Sequence, residues 1–367
     1  MAETSTSPGN VVTRFLSDAF AEYVRDNRFN RYWGTTENSI IHTKEERTTG
    51  RQIVSLPLLT RLTGNAVVGN GTLDGNEDEL GNHAFTLTPT YRRNAVRMTR
   101  EEMEKPNIDL MRGSRTALMN WAKEDLRDQI IQGCAAIDNG TIYANVDSAT
   151  AAQRNSWNAN NSDRVLYGAA VSNYNATFAT ALATIDSSAD KLDRNIVSLL
   201  ADRAKNADPH IRPVRTTDDE EYFVLFVGSR AMRDLRTDLE TLHSNGLPRT
   251  KEGNPLWKGG DLCWENVIIH EIPEITTTFT TNTSSLFATA GDSSTAVEPV
   301  FLCGAQALGW AIGRRMNFIV DKSKDFNFRP GVAVEKKEHV KKVFYDSGAA
   351  GVAVQHGMVS GFVSGVA

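Results

Sequence analysis

The stretch from Arg51 to Thr99 constrains this chain more than any other. Two pieces of it, RQIVSLPLL and HAFTLTPTYRRNAVRMT, are rich in β-branched and aromatic residues with partial alternation, which predicts strands. Between them lies TGNAVVGNGTLDGNEDELGN, crowded with glycine, asparagine and acids. A strand, a long polar loop and one returning strand make an extended two-stranded arm. Such a ribbon has too little apolar surface to be stable by itself, so it must settle on something else.

The remainder of the 367 residues is long enough for a large core and two or three sub-domains. Residues 1–10 are Ser/Thr/Pro-rich and read as disordered. A helical spacing runs over Val11–Arg28, followed by an irregular aromatic stretch, FNRYWG, and an extended piece up to Gly50. From Pro106 to Ile137, Met111, Leu118, Trp121, Ala122, Leu126 and Ile130 recur at three- and four-residue steps, which predicts a long helix with one apolar stripe. Pro106 sits near its start, where a missing N–H costs little.

The Asn/Ser-rich segment Gly140–Asp163 reads as a surface excursion, and Ala189–Ala207 as a second helix. EYFVLFVG (Glu221–Gly228) predicts a buried strand running into a third helix that begins at Ser229. Thr276–Ala296 is Thr/Ser-rich and reads as loop or edge strand. The apolar PVFLCGAQALGWAIG and the strand-like VAVEKKEHVKKVFYDSG follow. Helices and strands mix without regular βαβ alternation, so the expected class is α+β.

Composition narrows the function. A net charge of -5 argues against nucleic-acid binding as the main task. The three cysteines, Cys134, Cys263 and Cys303, are far apart with no CxxC pair, which suits a reducing compartment. The first ten residues do not read as a signal peptide, and no window is uncharged and apolar over the roughly 18 residues a membrane span needs.

Motifs for chemistry are sparse. Gly69-Asn-Gly-Thr-Leu-Asp-Gly75 is GxGxxxG with no helix behind it, and reads as a flexible loop tip rather than a phosphate cradle. DGNEDEL lacks the glycine and terminal glutamate of a calcium loop. No HExxH or finger spacing occurs, and His270 on an apolar strand reads as a structural histidine. No GxSxG or Ser/His/Asp set is marked. The run Lys336-Lys337 and Lys341-Lys342 is interleaved with Glu335 and Glu338, which blunts a phosphate-binding reading. No catalytic residue, metal site or cofactor is nominated.

Four segments, in order, carry a resemblance. RQIVSLPLLTRLTGNAVVGNGTLDGNEDEL is similar to an arm whose strand ends in a Leu-Thr-Gly turn and leads into a "TLxGNEExL" loop. The Pro106–Ile137 helix is placed like a spine helix. GNPLWKGGDLCWENVIIHEIPEI (Gly253–Ile275) resembles "(N/H)PLFxGxLGxYNGVVIHE", with Trp257 for the usual Phe and Trp264 for the usual Tyr. FLCGAQALGWAIG is like "xLGAQAxxxAxG". By these segments the chain resembles the tailed-bacteriophage major capsid proteins with the Hong Kong 97 fold, in the N4-like coat-protein branch.

The resemblance implies an N-terminal arm (1–50), an extended loop (51–104), a peripheral domain on the spine helix (105–138 and 297–345) and an axial domain (139–296 and 346–367). It implies that the extended loop, through Leu73, Asn76, Glu77 and Leu80, lies on a neighbouring subunit, with Gly50, Gly64, Gly69 and Gly71 as hinges. Trp257 and Trp264 are then packing or subunit contacts. The expected partners are further copies of the chain in pentamers and hexamers, a portal, a separate scaffold protein, and double-stranded DNA by non-specific enclosure, with no membrane. The expected location is the virion capsid, assembled in the host bacterial cytoplasm. The fold's namesake cross-links through a lysine on this loop, yet no lysine lies between Lys44 and Lys105 here, so no cross-link is expected. Other virion roles, decoration or tail component, and an enzyme of unrecognised type remain as alternatives.

Overall fold

The structure is a computed structural model that describes residues 27–45, 53–59, 62, 64–78, 80–104, 110–140, 142–215, 220–244, 257–258, 261–346 and 352–366. The chain divides into two compact units. The smaller takes residues 90–127 and 314–338, and the larger takes 28–89, 128–313 and 339–367. The expected helix at Val11–Arg28 and the N-terminal ten residues lie outside the described residues, save that Arg28–Arg31 forms a short 3-10 turn.

The larger unit is organised on an eight-stranded sheet. Its order is Trp257–Lys258, Asp261–Trp264, Val267–Glu271, Glu221–Val227, Val297–Cys303, Met358–Ser364 and Val165–Tyr167, with Val214–Arg215 paired beside Glu221–Val227. The Glu221–Val227 strand runs parallel to Val267–Glu271 (Val224 opposite Ile268) and antiparallel to Val297–Cys303 (Leu225 opposite Leu302). These central strands read as continuous apolar runs because both faces are covered.

On one face, the helices Arg194–Asn206 and Ser229–Ser244 bury Ile196, Leu200, Met232 and Leu235 against Leu225, Val300, Leu302 and Val363. The predicted strand-to-helix passage at Glu221–Ser244 is found as expected. The second helix starts at Arg194 rather than Ala189. Asp193 caps it, accepting from the Ile196 N–H at 2.8 Å, and Asp190 instead accepts from the Ala169 and Asp186 N–H groups.

The other face corrects two expectations. Gly140–Asp163 is not a surface excursion: it holds the helix Ala151–Asn160, opened by a capping box between Thr150 and Gln153, and it buries Trp157, Asn158 and Asn161. The asparagines are buried because each is spent on backbone. Asn158 donates to the carbonyl of Asn175 at 2.7 Å, and Asn161 donates to that of Trp157 at 2.8 Å. Thr276–Ala296 is not an edge strand but a π-helical turn, Thr276–Thr280, and a 3-10 turn, Leu286–Thr289. Its Phe279 and Phe287 join an aromatic layer, in which Phe362 stacks on Tyr167 at 5.1 Å and on Phe287 at 5.7 Å.

The strand Val297–Cys303 lies in this sheet, between Glu221–Val227 and Met358–Ser364, and falls in the larger unit, whereas 297–345 had been grouped as one piece of the peripheral domain. FNRYWG is less irregular than expected: Phe29 is buried with its ring 5.1 Å from Phe226, and Trp33–Gly34 pairs with Ile41–Glu45.

In the smaller unit the spine helix supplies Met111, Leu118 and Trp121, which pack on Val96, Phe318, Val332 and Val334. The strand Thr90–Arg97 runs antiparallel to Gly331–Lys342, with Val96 opposite Val332. The helix is Leu110–Cys134. It ends before Ile137 because Ala136–Asp138 turns back through Asn139-Gly140, Gly140 at φ 82, to pair with Tyr143–Asn145. This helix and the strands Leu308–Asp321 and Gly331–Lys342 contribute residues to both units.

Candidate assembly surface

The extended arm belongs to the larger unit and is built from its root outward. Val54–Leu59 pairs antiparallel with Asn82–Leu87, from Val54 opposite Leu87 to Leu59 opposite Asn82. At the root, Val54, Leu56, Phe85 and Leu87 are buried. Leu56 and Leu87 close over Gly309, where a Cβ would lie 2.9 Å from Leu56 Cδ1. Lys44 Nζ adds a bond to the Ser55 carbonyl at 2.9 Å. Towards the tip the alternation fades and the side chains are exposed.

The returning strand is not continuous, as the sequence had suggested. It breaks at Thr88-Pro89 into Asn82–Leu87, which pairs in the arm, and Thr90–Arg97, which pairs in the smaller unit. Pro89 has no N–H for a ladder and so ends one sheet before the next begins.

Beyond the strands the loop is held by its own short polar side chains. The Asn76 N–H bonds the Leu73 carbonyl at 2.9 Å, and Asn76 Nδ2 bonds that of Thr72 at 3.0 Å. Glu77 accepts from the Gly75 N–H at 2.8 Å, and Gly75 takes φ 86. Of the proposed hinges, Gly69 has φ 70 at a turn and open space around it. Gly64 donates to the Asp78 carboxylate across the loop, and a Cβ there would sit 2.0 Å from Asp78 Oδ1. A Cβ on Gly71 would meet Val67 Cγ1 at 2.6 Å, and Gly50 lies outside the described residues.

Among its polar residues the loop presents three large apolar side chains. Leu73 is 66% exposed, Leu80 54% and Val68 85%. Asn76 and Glu77 are exposed beside them. Four of the expected contact residues thus share one projecting loop, with the polar pair shaping it and the leucines free to be covered.

A second exposed tip was not legible in the sequence. Between Leu308–Asp321 and Gly331–Lys342, the turn Lys324–Asn327 holds Asp325, Phe326 and Asn327 at φ 51, 48 and 68. Phe326 is fully exposed there. A bulky aromatic in left-handed backbone at an outward tip is costly in an isolated chain. The only signal was the aromatic pair in KDFNF between two strands, which reads equally as a hairpin core.

Trp264 is placed differently. Its ring packs against the core beneath the helices, and its Nε1 donates to Ser198 Oγ at 3.3 Å. The adjoining turn takes Glu265 and Asn266 at φ 46 and 63, and Glu265 accepts from Ser198 Oγ at 2.7 Å. Trp257 lies in the short strand Trp257–Lys258, and its side chain is outside the described residues. His270 is buried between the rings of Tyr32, 5.4 Å away, and Phe226, 6.4 Å away. Among the described residues no cluster of His, Cys, Asp and Glu could hold a metal ion, and no helix is long and apolar enough to cross a membrane.

A family model described as phage capsid protein matches residues 3–361. The major capsid protein of Pseudomonas phage KPP25 is 26% identical over 330 residues, which are 84% of this chain and 82% of that protein. A chain of the cyanophage Pam1 capsid asymmetric unit is similar at a TM-score of 0.88 and 34% identity, covering 100% of this chain and 99% of that one. A chain of the capsid of Ralstonia phage GP4 shares the fold at a TM-score of 0.71 and 21% identity, covering 100% and 99%. The architecture is thus an α+β capsid fold of the Hong Kong 97-like class. The chain belongs to the phage capsid protein family and is a major capsid protein of a tailed bacteriophage.

Proposed function

We propose that this subunit builds its shell by laying the extended arm on a neighbouring copy, with Leu73 and Leu80 as the covered apolar contacts and Asn76 and Glu77 fixing the loop that carries them. The observation behind this is the exposure of both leucines on a loop that its own polar groups already shape. Each contact need be only of ordinary size, about 800 Å² per partner, since several neighbours act together in a closed shell. The contacts are heterologous and close into rings of five or six. Turning about Gly50, Gly64, Gly69 and Gly71 would let one sequence serve both rings.

In domain terms, the peripheral domain is best drawn around the spine helix and the strands Thr90–Arg97 and Gly331–Lys342, and the axial domain around the eight-stranded sheet. The N-terminal arm and the extended loop are separate attachments. The placement in the N4-like branch rests on motif order. A portal and a separate scaffold protein are proposed helpers, with DNA enclosed non-specifically behind a net-negative wall. Assembly in the host cytoplasm, with no enzymatic turnover and no lysine-mediated weld, completes the reading. A covalent ladder on denaturing gels of mature shells would remove the last point.

Electron microscopy of the purified chain, alone and with the other viral assembly proteins, tests the whole. Rings, sheets or shells support it. Monomers under every condition, including with those proteins present, overturn it.

A further inference from the structure

The aromatic face of the large sheet contains a small cavity lined by Ala135, Ile137, Trp157, Phe301, Lys342 and Ser360, among others. The space open to a water's centre is about 10 Å³, room for one water-sized ligand. Most of the lining is apolar. Three polar groups break it.

Lys342 is fully buried, and its Nζ donates to Gln355 Oε1 at 3.2 Å. The Nζ lies 5.7 Å from the ring centres of both Trp157 and Phe344, and its titratable neighbours are the thiols Cys134 and Cys303, which burial keeps protonated and neutral, rather than a carboxylate. An ammonium has three N–H groups, so one amide oxygen leaves it short of acceptors. Ser360 Oγ and Trp157 Nε1 are both buried with no hydrogen-bond partner. An indole N–H and an ammonium can only donate, so the cavity wall is rich in donors and poor in acceptors. Native interiors do not leave such groups empty-handed: apolar cavities stay dry, while polar ones of this size are filled.

We propose that this cavity binds one small hydrogen-bond acceptor, a water molecule or a halide ion, held by Lys342 and Ser360 with Trp157 beside them. The bound acceptor ties together three segments distant in sequence. Trp157 comes from the Asn/Ser-rich segment, Lys342 from the end of the strand Gly331–Lys342, and Ser360 from the strand Met358–Ser364. Burial pushes the Lys342 amine down to about 8, so near neutral pH it still carries a proton that needs an acceptor. Size favours water, and charge favours a halide; the hydrogen-bond chemistry is the same.

The test is a map of the assembled shell sharp enough to show ordered water, recorded from material in chloride and in bromide. We expect one peak within hydrogen-bond distance of Lys342 Nζ and Ser360 Oγ. A peak carrying the anomalous signal of bromide identifies a halide site, and an unchanged peak without it identifies water. A featureless cavity overturns the proposal. Lys342→Met, which keeps the length and apolar stem, is expected to abolish the peak, and an equal peak in that variant would overturn the role given to the ammonium. Should Lys342→Met fail to assemble, Ser360→Ala serves the same purpose, with a clearly weakened peak expected and an undiminished one counting against the site.

Discussion

Glu298 accepts a hydrogen bond from the Ala231 N–H at 3.0 Å, placing a fully buried carboxylate against the first turn of the helix Ser229–Ser244. Thr276 Oγ1 donates to the same carboxylate at 2.9 Å and accepts from the Ser229 N–H at 2.8 Å. Those N–H groups have no partner within the helix, and negative charge is favoured at that end. Burial raises the Glu298 pKa, opposed by these bonds. Glu298→Ala should cost about 2–3 kcal/mol, since it strands buried donors as well as losing the charge. Glu298→Gln, which keeps an accepting oxygen, should cost less. Denaturant midpoints of the unassembled chain decide, and an alanine variant as stable as the parent would refute the capping role.

Acid should weaken the subunit through His356. Burial first, then Arg164 and Arg212, hold its pKa at about 4 against an ordinary 6.5. The unfolded chain therefore takes up a proton near pH 6.5, which the folded chain resists until pH 4. Stability is complete above 6.5 and drains away as pH falls towards 4. Between pH 7 and pH 5 the loss from this group is about 1–2 kcal/mol. His356→Gln should flatten that part of the pH profile. An identical slope in the variant would assign the acid sensitivity elsewhere.

The sequence revealed what periodicity and propensity control locally. The strand at Glu221–Val227, the helix after it and the middle of the spine helix follow from apolar spacing alone. It hid what long-range pairing controls. Nothing in HAFTLTPTYRRNAVRMT except Pro89 signals that its halves enter different sheets. The polar segments 140–163 and 276–296 resemble loops because their Asn and Thr side chains bond backbone locally, and the aromatics that bury them are single residues in polar surroundings: Trp157, Phe279 and Phe287. Of the exposed surface, the polar loop at Leu73–Leu80 was legible from its composition, and its expected contact role only from the family resemblance. The Phe326 tip was not, because exposure of an aromatic between two strands depends on backbone that only the fold fixes.

The arm prediction separates folding from assembly. Leu73→Ser with Leu80→Ser removes apolar side chains that are already exposed in the single subunit. Stability of the unassembled chain should change by less than about 0.5 kcal/mol. The yield of closed shells, counted by electron microscopy at matched concentration, should fall several-fold. Unchanged shell yield would show that the loop is not a contact. Loss of monomer stability would show instead that the leucines serve their own chain.

The spine helix is anchored by a buried cation. Lys336, 4% exposed on a strand whose neighbours point the other way, bonds Asp125 Oδ2 at 3.0 Å and the Ala122 carbonyl at 2.8 Å, with Glu338 also in contact. Asp125 keeps a second cation, Arg92, but Glu338 is itself buried. Removing only the lysine leaves its carboxylate partners desolvated with less compensation, which typically costs about 3–5 kcal/mol, whereas an apolar replacement of the pair is often nearly neutral. Lys336→Met should therefore destabilise the subunit strongly, and Lys336→Met combined with Glu338→Leu should recover much of the loss. Thermal or denaturant unfolding of the two variants gives the comparison. If the double variant is no better than the single one, the lysine matters for its bond to the helix carbonyl of Ala122 rather than for neutralising Glu338.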